Sequence, residues 1–504
     1  MSISFKQRPI SFLLNGEAKS ISPEMADETL LNWLRKDAQL HGSKEGCAEG
    51  DCGACSVLIT RQDADGTIRH EAANACILFL PMLDGLVVTT VEYVAGPDGA
   101  LHPVQAAMVE YHGSQCGFCT PGFILSLLAG WRSDGDWDRQ SAEDLIAGNL
   151  CRCTGYGPII TAATTLSGAV KPDWEIARMN AELQWLNDHH QPPLATENAS
   201  QPFLAPETID DLSDAIAANP NAQIIAGATD IGLWVTKKHV EIMSFISLMR
   251  VPALQQITED DHGFTIGAGV SHAQAKLALA ETFPPLDELW RRFGSAQVRA
   301  SGTVCGNIAN GSPIGDLAPA FLALNAILTL RHGRVERTMP LDDFYLDYME
   351  NALQDGEWVK SIYLPKLAPH ARFYAFKISR RFDQDISAVM GAFYYAATDN
   401  VITNMRIGFG GMAAIPARAK GCEAALIGVP LDGEVPAEAM AALDADFTPL
   451  SDMRASASYR QIIAQNLLKK ALAGNAMMLA GNGLHDLDLD DPDLAGLNLG
   501  EAAS

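Results

Sequence analysis

Apolar and polar positions alternate in short runs over the first part of the chain, which is typical of β-strands. An Asn15-Gly16 pair between two apolar runs predicts a hairpin, because both residues tolerate the backbone that a two-residue turn requires. The apolar runs 56–60 and 86–90 predict further strands. Asp27 precedes a segment of helical periodicity and is predicted to cap that helix.

Helical spacing dominates the following block. Pro103, Pro121 and Pro158 each stand where a helix is expected to open, because proline is favoured in the first helical turn. Another helix is predicted to begin at Ser141. The stretch 169–202 is rich in proline and in small polar residues, which predicts a linker.

The pattern therefore predicts an α+β chain of several domains. In order, these are a β-rich domain, a helical domain, the linker, two α+β domains and an acidic tail, with limits at 1–90, 91–168, 169–202, 203–370, 371–485 and 486–504.

Composition and charge exclude several classes of protein. With 36 basic and 61 acidic residues the net charge is −25, and no basic stripe suited to nucleic acid is present. Hydrophobic residues make up 48%, which argues against a disordered chain. No apolar run reaches the roughly 18 residues of a membrane span, and the first residues lack the apolar core of a secretory signal. We therefore expect a cytoplasmic protein without membrane contact.

The cysteines are clustered. Eight of the ten lie between residues 47 and 153, and only Cys305 and Cys422 lie elsewhere. Because disulfides are disfavoured in a protein without a secretory signal, the clustering indicates metal binding.

The first group is Cys47, Cys52 and Cys55 in C-x4-C-x2-C spacing, followed by Cys76. This is the spacing of plant-type ferredoxins, whose four thiolates hold a [2Fe–2S] cluster. Zinc is the alternative metal, although zinc sites usually consist of paired C-x2-C knuckles.

The second group combines Cys116 and Cys119 as C-x2-C with Cys151 and Cys153 as C-x-C. The first pair directly precedes the predicted helix at Pro121, where the helix dipole favours thiolate charge. On spacing alone zinc competes more strongly here than in the first group.

The sequence segments around these cysteines resemble the iron–sulfur portion of the xanthine oxidase (molybdenum hydroxylase) family. They are CAEGDCGACSV, HGSQCGFCTPG and GNLCRCTGY. The resemblance implies a β-grasp ferredoxin domain and a helical domain, each with one [2Fe–2S] cluster held by four of the eight cysteines. It also implies that Gln115 contacts a molybdopterin cofactor across an interface.

The second half resembles the flavoprotein part of the same family, which implies an α+β FAD-binding domain of the vanillyl-alcohol oxidase type and a C-terminal α+β domain. The segments are the loop 224–231, the region 293–316 and the segment around Lys377. The FAD-binding residues implied by the resemblance are Ile224, Ile225, Ala226, Gly227, Ala228, Thr229, Asp230, Ile231, Phe293, Thr303, Asn307, Asn310, Asp316, Val359 and Lys377.

Two positions depart from the family pattern. Cys305 stands where a small residue is common, and it is either a buried apolar side chain or a thiol that faces the flavin. Tyr348 resembles a tyrosine near the nicotinamide site, but Met349 and Glu350 follow where relatives carry basic residues. The electron acceptor, NAD+ or another oxidant, is therefore left open.

The function implied by the resemblance is electron transfer in a purine hydroxylase that oxidises hypoxanthine and xanthine to urate. Electrons from molybdenum would pass through the helical-domain cluster, the β-grasp cluster and FAD to NAD+. Because the sequence ends at Ser504, the molybdopterin domains are expected in a separate large subunit, in a symmetric dimer of heterodimers. The alternatives are a molybdenum hydroxylase acting on another heterocycle or an aldehyde, and a zinc-stabilised scaffold without redox chemistry.

Overall fold

The computed structural model describes residues 7–63, 65–133, 135, 137–196, 201–431 and 433–473. The predicted acidic tail, 486–504, lies outside these residues. The described part of the chain contains no helix with the length and apolar character needed to cross a membrane.

The N-terminal β-rich domain is a five-stranded mixed sheet covered by one helix, which is the β-grasp arrangement. Its order is β3-β2-β6-β4-β5, with β2 parallel to β6 and the other neighbours antiparallel. The predicted hairpin is confirmed, since Asn15 and Gly16 have φ of 52° and 79° at its turn. The elements are β1 Gln7–Arg8, β2 Ile10–Leu14, β3 Glu17–Ile21, α1 Leu30–Lys36, β4 Ser56–Gln62, β5 Ile68–Asn74 and β6 Val87–Thr89.

The cap of α1 differs from the prediction. The capping residue is Thr29, whose hydroxyl accepts a hydrogen bond from the Asn32 N–H at 3.2 Å, and not Asp27. Leu30 N–H donates to the Leu78 carbonyl at 2.8 Å, so a contact distant in sequence sets where the helix begins. Capping propensity alone does not contain that information.

The helical domain follows the proline pattern. Its helices are α2 Pro103–Glu110, α3 Thr120–Arg132, α4 Arg139–Ile146 and α5 Gly157–Thr164. The openings predicted at the three prolines are confirmed, because each proline lies in the first turn of its helix. Helix α4 begins two residues before the predicted Ser141, since the Asp138 carboxylate accepts a hydrogen bond from the Ser141 N–H at 2.8 Å and caps the helix.

The predicted linker contains regular structure, namely α6 Asp173–Asp188 and β7 Leu194–Thr196. Helix α6 packs on the helical domain through a buried ion-pair network. Arg132 donates to Glu175 at 2.7 Å and to Glu182 at 2.8 Å, and all three side chains are buried. The sequence pattern missed the helix because its buried face carries carboxylates, which resemble a solvated surface until their arginine partner is known.

His102 is a buried titrating group in this network. Its Nδ1 accepts a hydrogen bond from the Val104 N–H at 3.1 Å, and its Nε2 lies 3.9 Å from a carboxylate oxygen of Glu175. Burial, together with the charges of Arg132 and Arg178, lowers the pKa of His102 to about 3. The folded protein therefore binds one proton fewer than the unfolded chain between about pH 3 and 6.5.

We expect this histidine to make the free energy of unfolding fall with acidification by up to about 1.4 kcal/mol per pH unit below pH 6.5. In the variant His102→Asn, which keeps a side-chain acceptor for the helix cap, this contribution should be absent. Apparent melting temperatures of both proteins at pH 7.5 and 5.5 measure it. An equal loss of stability in both proteins would contradict the expectation.

The third domain contains two five-stranded sheets and a two-stranded sheet in which β15 pairs with β16. One five-stranded sheet has the order β1-β7-β8-β10-β9, and the other, fully antiparallel, has the order β11-β12-β17-β13-β14. The strands are β8 Phe203–Ala205, β9 Gln223–Ile225, β10 Phe245–Ser247, β11 Ile257–Glu259, β12 Gly263–Gly267, β13 Ile327–His332, β14 Val335–Pro340, β15 Tyr345–Asp347, β16 Glu350–Asn351 and β17 Trp358–Pro365. The helices are α7 Ile209–Ala218, α8 Ile231–Thr236, α9 His272–Leu279, α10 Pro284–Arg292, α11 Ala296–Ser301, α12 Val304–Asn310 and α13 Leu317–Ala323.

The C-terminal domain packs three helices on an antiparallel sheet of order β18-β19-β20-β21. Its elements are β18 Arg372–Ile378, β19 Val389–Thr398, β20 Val401–Gly410, β21 Ala417–Arg418, α14 Lys420–Leu426, α15 Ala437–Asp446 and α16 Ala457–Ala473.

The β-grasp domain is attached to the third domain at its very start. Strand β1 pairs in parallel with β7, so Gln7–Arg8 belong to a sheet of the third domain. The buried carboxylate of Asp84 accepts from Arg8 at 2.6 Å and from Arg250 of the third domain at 2.5 Å. Both ends of the β-grasp domain are thereby fixed.

Candidate cofactor sites

The first cysteine group is brought together at one edge of the β-grasp domain. Cys47, Cys52 and Cys55 lie on the loop between α1 and β4, and Cys76 follows β5. The Cys47 thiol contacts those of Cys52 and Cys76, and Cys55 contacts Cys76. Cys55 and Cys76 are buried, whereas Cys47 and Cys52 are partly exposed.

Backbone N–H groups of this loop point at sulfur. The Cys47 sulfur accepts from the N–H groups of Glu49, Asp51 and Cys52 at 3.5, 3.4 and 3.3 Å. Hydrogen bonds from Cys52 and Cys76, supported by these backbone groups, lower the pKa of Cys47. Such N–H···S contacts stabilise the charge of an iron–sulfur cluster and tune its potential.

The second group is brought together between two interhelical loops. Cys116 contacts Cys153, and Cys119 contacts Cys151. The Thr154 hydroxyl lies 3.1 Å from the Cys151 sulfur, and although burial opposes ionisation, hydrogen bonds from Thr154 prevail and lower the pKa of Cys151. Cys116 and Cys153 are exposed, so this group reaches the protein surface.

The arrangement of the thiols fits a binuclear cluster. Zinc requires its ligands around one point at roughly 2.3 Å. In the first group, Cys47 contacts Cys52 and Cys76, and Cys76 also contacts Cys55. In the second group, Cys116 contacts Cys153 and Cys119 contacts Cys151. Four thiols gathered in this way fit a [2Fe–2S] cluster, where four thiolates are divided between two irons.

The two groups are joined by the backbone. Leu150 N–H, next to Cys151, donates to the carbonyl of Cys52 at 3.0 Å. Gly53 has a positive φ of 68°, and a Cβ there would lie 2.2 Å from the carbonyl oxygen of Gly148. The close approach of the two loops therefore requires glycine.

A cavity of about 510 Å³ lies in the third domain, which is within the usual range for cofactor pockets. Most residues predicted to bind FAD line it: Ile224, Ala226, Gly227, Ala228, Thr229, Asp230, Ile231, Phe293, Thr303, Asn307, Asn310 and Val359.

The loop after β9 enters this cavity with little room for side chains. A Cβ on Gly227 would lie 1.7 Å from the carbonyl oxygen of Ser301 at the end of α11. Ala228 has a φ of 60°, and its carbonyl accepts from the Gly232 N–H at 2.7 Å in the first turn of α8. Such a loop exposes backbone N–H groups to an anionic group such as a pyrophosphate.

Three predicted FAD residues do not line the cavity. Ile225 is fully buried on the opposite side of β9, in the core shared with the β-grasp domain. Asp316 and Lys377 form a buried ion pair at 2.5 Å, and the second oxygen of Asp316 accepts from Ser387 at 2.5 Å. The carboxylate of Asp316 and the ammonium group of Lys377 therefore neutralise each other where the third domain meets the C-terminal domain.

His272 is a cavity residue that sequence reasoning missed. It lies against the ring of Phe293 at 4.6 Å between centroids, and burial with the charge of Arg299 lowers the pKa of His272 to about 3. The neutral ring has no hydrogen-bond partner for Nδ1 among the described residues. An unpaired buried nitrogen beside a cavity fits a bound polar ligand, but the sequence contains no motif for it.

The two departures from the family pattern lie on different parts of the cavity. Cys305 is buried in its wall, its thiol donates to the Ile266 carbonyl at 3.7 Å, and burial raises its pKa. Tyr348 and Met349 are exposed on the turn between β15 and β16, and Met349 lines the cavity.

The β-grasp domain also contacts the cavity loop directly. A Cβ on Gly232, in the first turn of α8, would lie 2.8 Å from the Cβ of Ile77. Ile77 follows Cys76, one of the buried thiols. The first cysteine group is therefore connected both to the loop of the second group, through Cys52 and Leu150, and to α8 next to the cavity, through Ile77.

Four family models match the chain in succession. A 2Fe-2S iron-sulfur cluster binding domain matches residues 12–80 and a [2Fe-2S] binding domain matches 90–164. The FAD binding domain in molybdopterin dehydrogenase matches 197–367, and the CO dehydrogenase flavoprotein C-terminal domain matches 374–474.

Curated relatives extend over most of the chain. A xanthine dehydrogenase of Drosophila subobscura is 30% identical over 94% of this chain and 40% of its own length. A xanthine dehydrogenase/oxidase of Rattus norvegicus is 31% identical over 80% of this chain and 34% of its own length. Aldehyde oxidase 3 of the same species is 30% identical over 84% of this chain and 36% of its own length. The chain thus spans 40% or less of these relatives.

Among solved structures, a carbon monoxide dehydrogenase chain from Hydrogenophaga pseudoflava is similar, with a TM-score of 0.51 and 25% identity. The likeness covers 54% of this chain and 95% of that chain.

Proposed function

Because the chain belongs to the molybdenum hydroxylase family of oxidoreductases and combines two 2Fe-2S domains with an FAD-binding domain, we propose that it is the electron-transfer subunit of a xanthine dehydrogenase. Its partner would be a large molybdopterin-binding subunit, in a symmetric dimer of heterodimers. The electron acceptor would be NAD+. We expect the complex in the cytoplasm, where thiolate ligands stay reduced.

The observation that carries the proposal is the order of the three sites. The exposed thiols of the second group open to the surface, Leu150 joins that group to Cys52, and Ile77 joins Cys76 to the cavity loop at Gly232. These contacts support a continuous path between a partner protein and a flavin.

The cofactors, when bound, would carry electrons singly from the partner's molybdenum to FAD, which delivers a hydride to NAD+. The chain's residues hold and shield them. Cys116, Cys119, Cys151 and Cys153 would hold the cluster nearest the partner, beside Gln115. Cys47, Cys52, Cys55 and Cys76 would hold the other.

For FAD, we assign the pyrophosphate to the glycine loop 224–231, and the remaining contacts to Phe293, Thr303, Asn307, Asn310 and Val359. Asp316 and Lys377 neutralise each other in a buried ion pair. We therefore assign them a supporting role in the packing of the FAD-binding domain and no direct contact with FAD. The Ile225 side chain would serve the core.

The substrate depends on the partner. Xanthine is favoured by the relatives that are xanthine dehydrogenases, one of which matches 94% of the chain. A hydroxylase of another class is the second candidate, because aldehyde oxidase 3 and a carbon monoxide dehydrogenase are also similar. Copurification with the large chain, followed by assays on xanthine, an aldehyde and carbon monoxide, separates these candidates.

We expect the purified chain to contain about four irons, about four acid-labile sulfides and one FAD. It should reduce an artificial dye with NADH and should not oxidise xanthine without the partner. The measurements are metal and sulfide analysis, flavin absorbance and the two assays. A colourless zinc protein would support a non-redox scaffold, and xanthine turnover without a partner would contradict the assignment to an electron-transfer subunit.

A further inference from the structure

A cluster of four buried polar side chains lies where the β-grasp, helical and third domains meet. The Gln297 amide nitrogen lies 3.1 Å from the hydroxyl of Ser56, 3.1 Å from the hydroxyl of Ser126 and 3.2 Å from the side-chain oxygen of Asn149. All four residues are at most 2% exposed. One amide therefore connects three domains by direct hydrogen bonds.

Two of the three partners lie within two residues of a cysteine of the proposed clusters, and the third is on a helix that begins directly after another of these cysteines. Ser56 directly follows Cys55, and Asn149 precedes Cys151 by two residues. Ser126 is on α3, the helix that begins after Cys119.

Gln297 itself lies on a helix that forms part of the cavity wall. It lies on α11, and the carbonyl of Ser301 at the end of this helix is the group that excludes any Cβ on Gly227. Val298, the next residue, lines the cavity. Gln297 therefore connects a helix of the cavity wall with residues near both thiol groups.

The cluster specifically requires a hydrogen-bond donor at this position. The Ser56 hydroxyl already donates to the Gly53 carbonyl at 2.8 Å, and the Ser126 hydroxyl donates to Asn149 at 2.6 Å. Both hydroxyl oxygens can then only accept, as does the Asn149 oxygen. The two amide hydrogens of Gln297 face these acceptors, and a carboxylate of the same shape would offer none.

The fit around the amide is tight. A Cβ on Gly148 would lie 1.7 Å from the Gln297 side-chain oxygen. That oxygen has no hydrogen-bond partner among the described residues, although it is buried. The position of the amide is thus set by its nitrogen and by the close backbone.

We propose that Gln297 is a positioning residue that fixes the spacing between the two iron–sulfur sites and the flavin cavity. The inference rests on the proposed function. Loss of the amide donors would let the loops at Cys55 and Cys151 move relative to α11. Because electron transfer and magnetic coupling depend on the separation of the centres, both should change while the cofactors stay bound.

The test compares Gln297→Glu and Gln297→Met with the unaltered full chain. We expect both variants to keep their iron and FAD, to show altered magnetic coupling between the reduced clusters by EPR, and to transfer electrons from NADH-reduced flavin to the clusters at least roughly tenfold more slowly. The methionine variant removes the donors without adding charge. Gln62→Glu, an exposed change on the same strand as Ser56, is the matched control and should resemble the unaltered chain.

The outcomes are distinct. Full cofactor content with unchanged coupling and rate in both variants would overturn the positioning role and leave the proposed function intact. If neither variant retains iron, Gln297 acts in folding, and the positioning role is again overturned. An unaltered chain without iron or flavin would instead contradict the proposed function itself.

Discussion

Replacing Cys151 by serine should remove one of two iron–sulfur EPR signals and about half of the bound iron, while the other signal remains. The Cys151 thiol contacts Cys119 and lies 3.1 Å from the Thr154 hydroxyl, so it is central to the second group. Serine is a much weaker ligand for iron because its hydroxyl stays protonated. Electron flow from a molybdenum partner should stop, whereas NADH should still reduce the flavin.

The reciprocal variant Cys55→Ser should remove the other signal. The matched control is Cys422→Ser. Cys422 is buried like Cys55, but it lies in the C-terminal domain, away from both cysteine groups. Two intact signals in the Cys151 variant, or loss of both in the Cys422 variant, would break the assignment of ligands.

Replacing Gly227 by alanine should release FAD and leave both iron–sulfur signals in place. The added Cβ would lie 1.7 Å from the Ser301 carbonyl, so α11 or the cavity loop must shift. Overpacking of this kind costs about 1–3 kcal/mol, which corresponds to roughly 5- to 150-fold weaker FAD binding. Flavin fluorescence during titration of the deflavinated chain measures it.

Gly157→Ala serves as the control, because a Cβ at Gly157 meets nothing within 4 Å. It adds the same methyl group at the start of α5 and should leave FAD affinity unchanged. Equal affinities for the Gly227 and Gly157 variants would show that the loop 224–231 does not contact the cofactor closely.

The sequence predicted features whose chemistry is local. Cysteine spacing alone separated two groups of four, and the structure brings the same thiols together. The Asn15-Gly16 turn and the helix openings at proline were also predictable, since each depends on the backbone preference of one or two residues. The four domain types followed from a resemblance that the family models confirm.

Features that depend on distant contacts were not predictable. Thr29 caps α1 because Leu78 fixes the helix start, and α6 hides its carboxylates against Arg132. His272 has no motif, and Gln297 acquires its role only when three domains meet. Asp316 and Lys377 pair with each other because both are buried, which a resemblance to cofactor-binding positions does not reveal.

The pairing of β1 with β7 has a consequence for how electrons travel. A carrier domain on a flexible tether can swing between donor and acceptor. Here, however, β1 at the start of the β-grasp domain is paired with β7 in a sheet of the third domain. Asp84 holds an arginine from each side as well. The two domains are therefore held together at two points, and we expect electrons in the proposed subunit to pass across a fixed gap, without a domain that travels between partners.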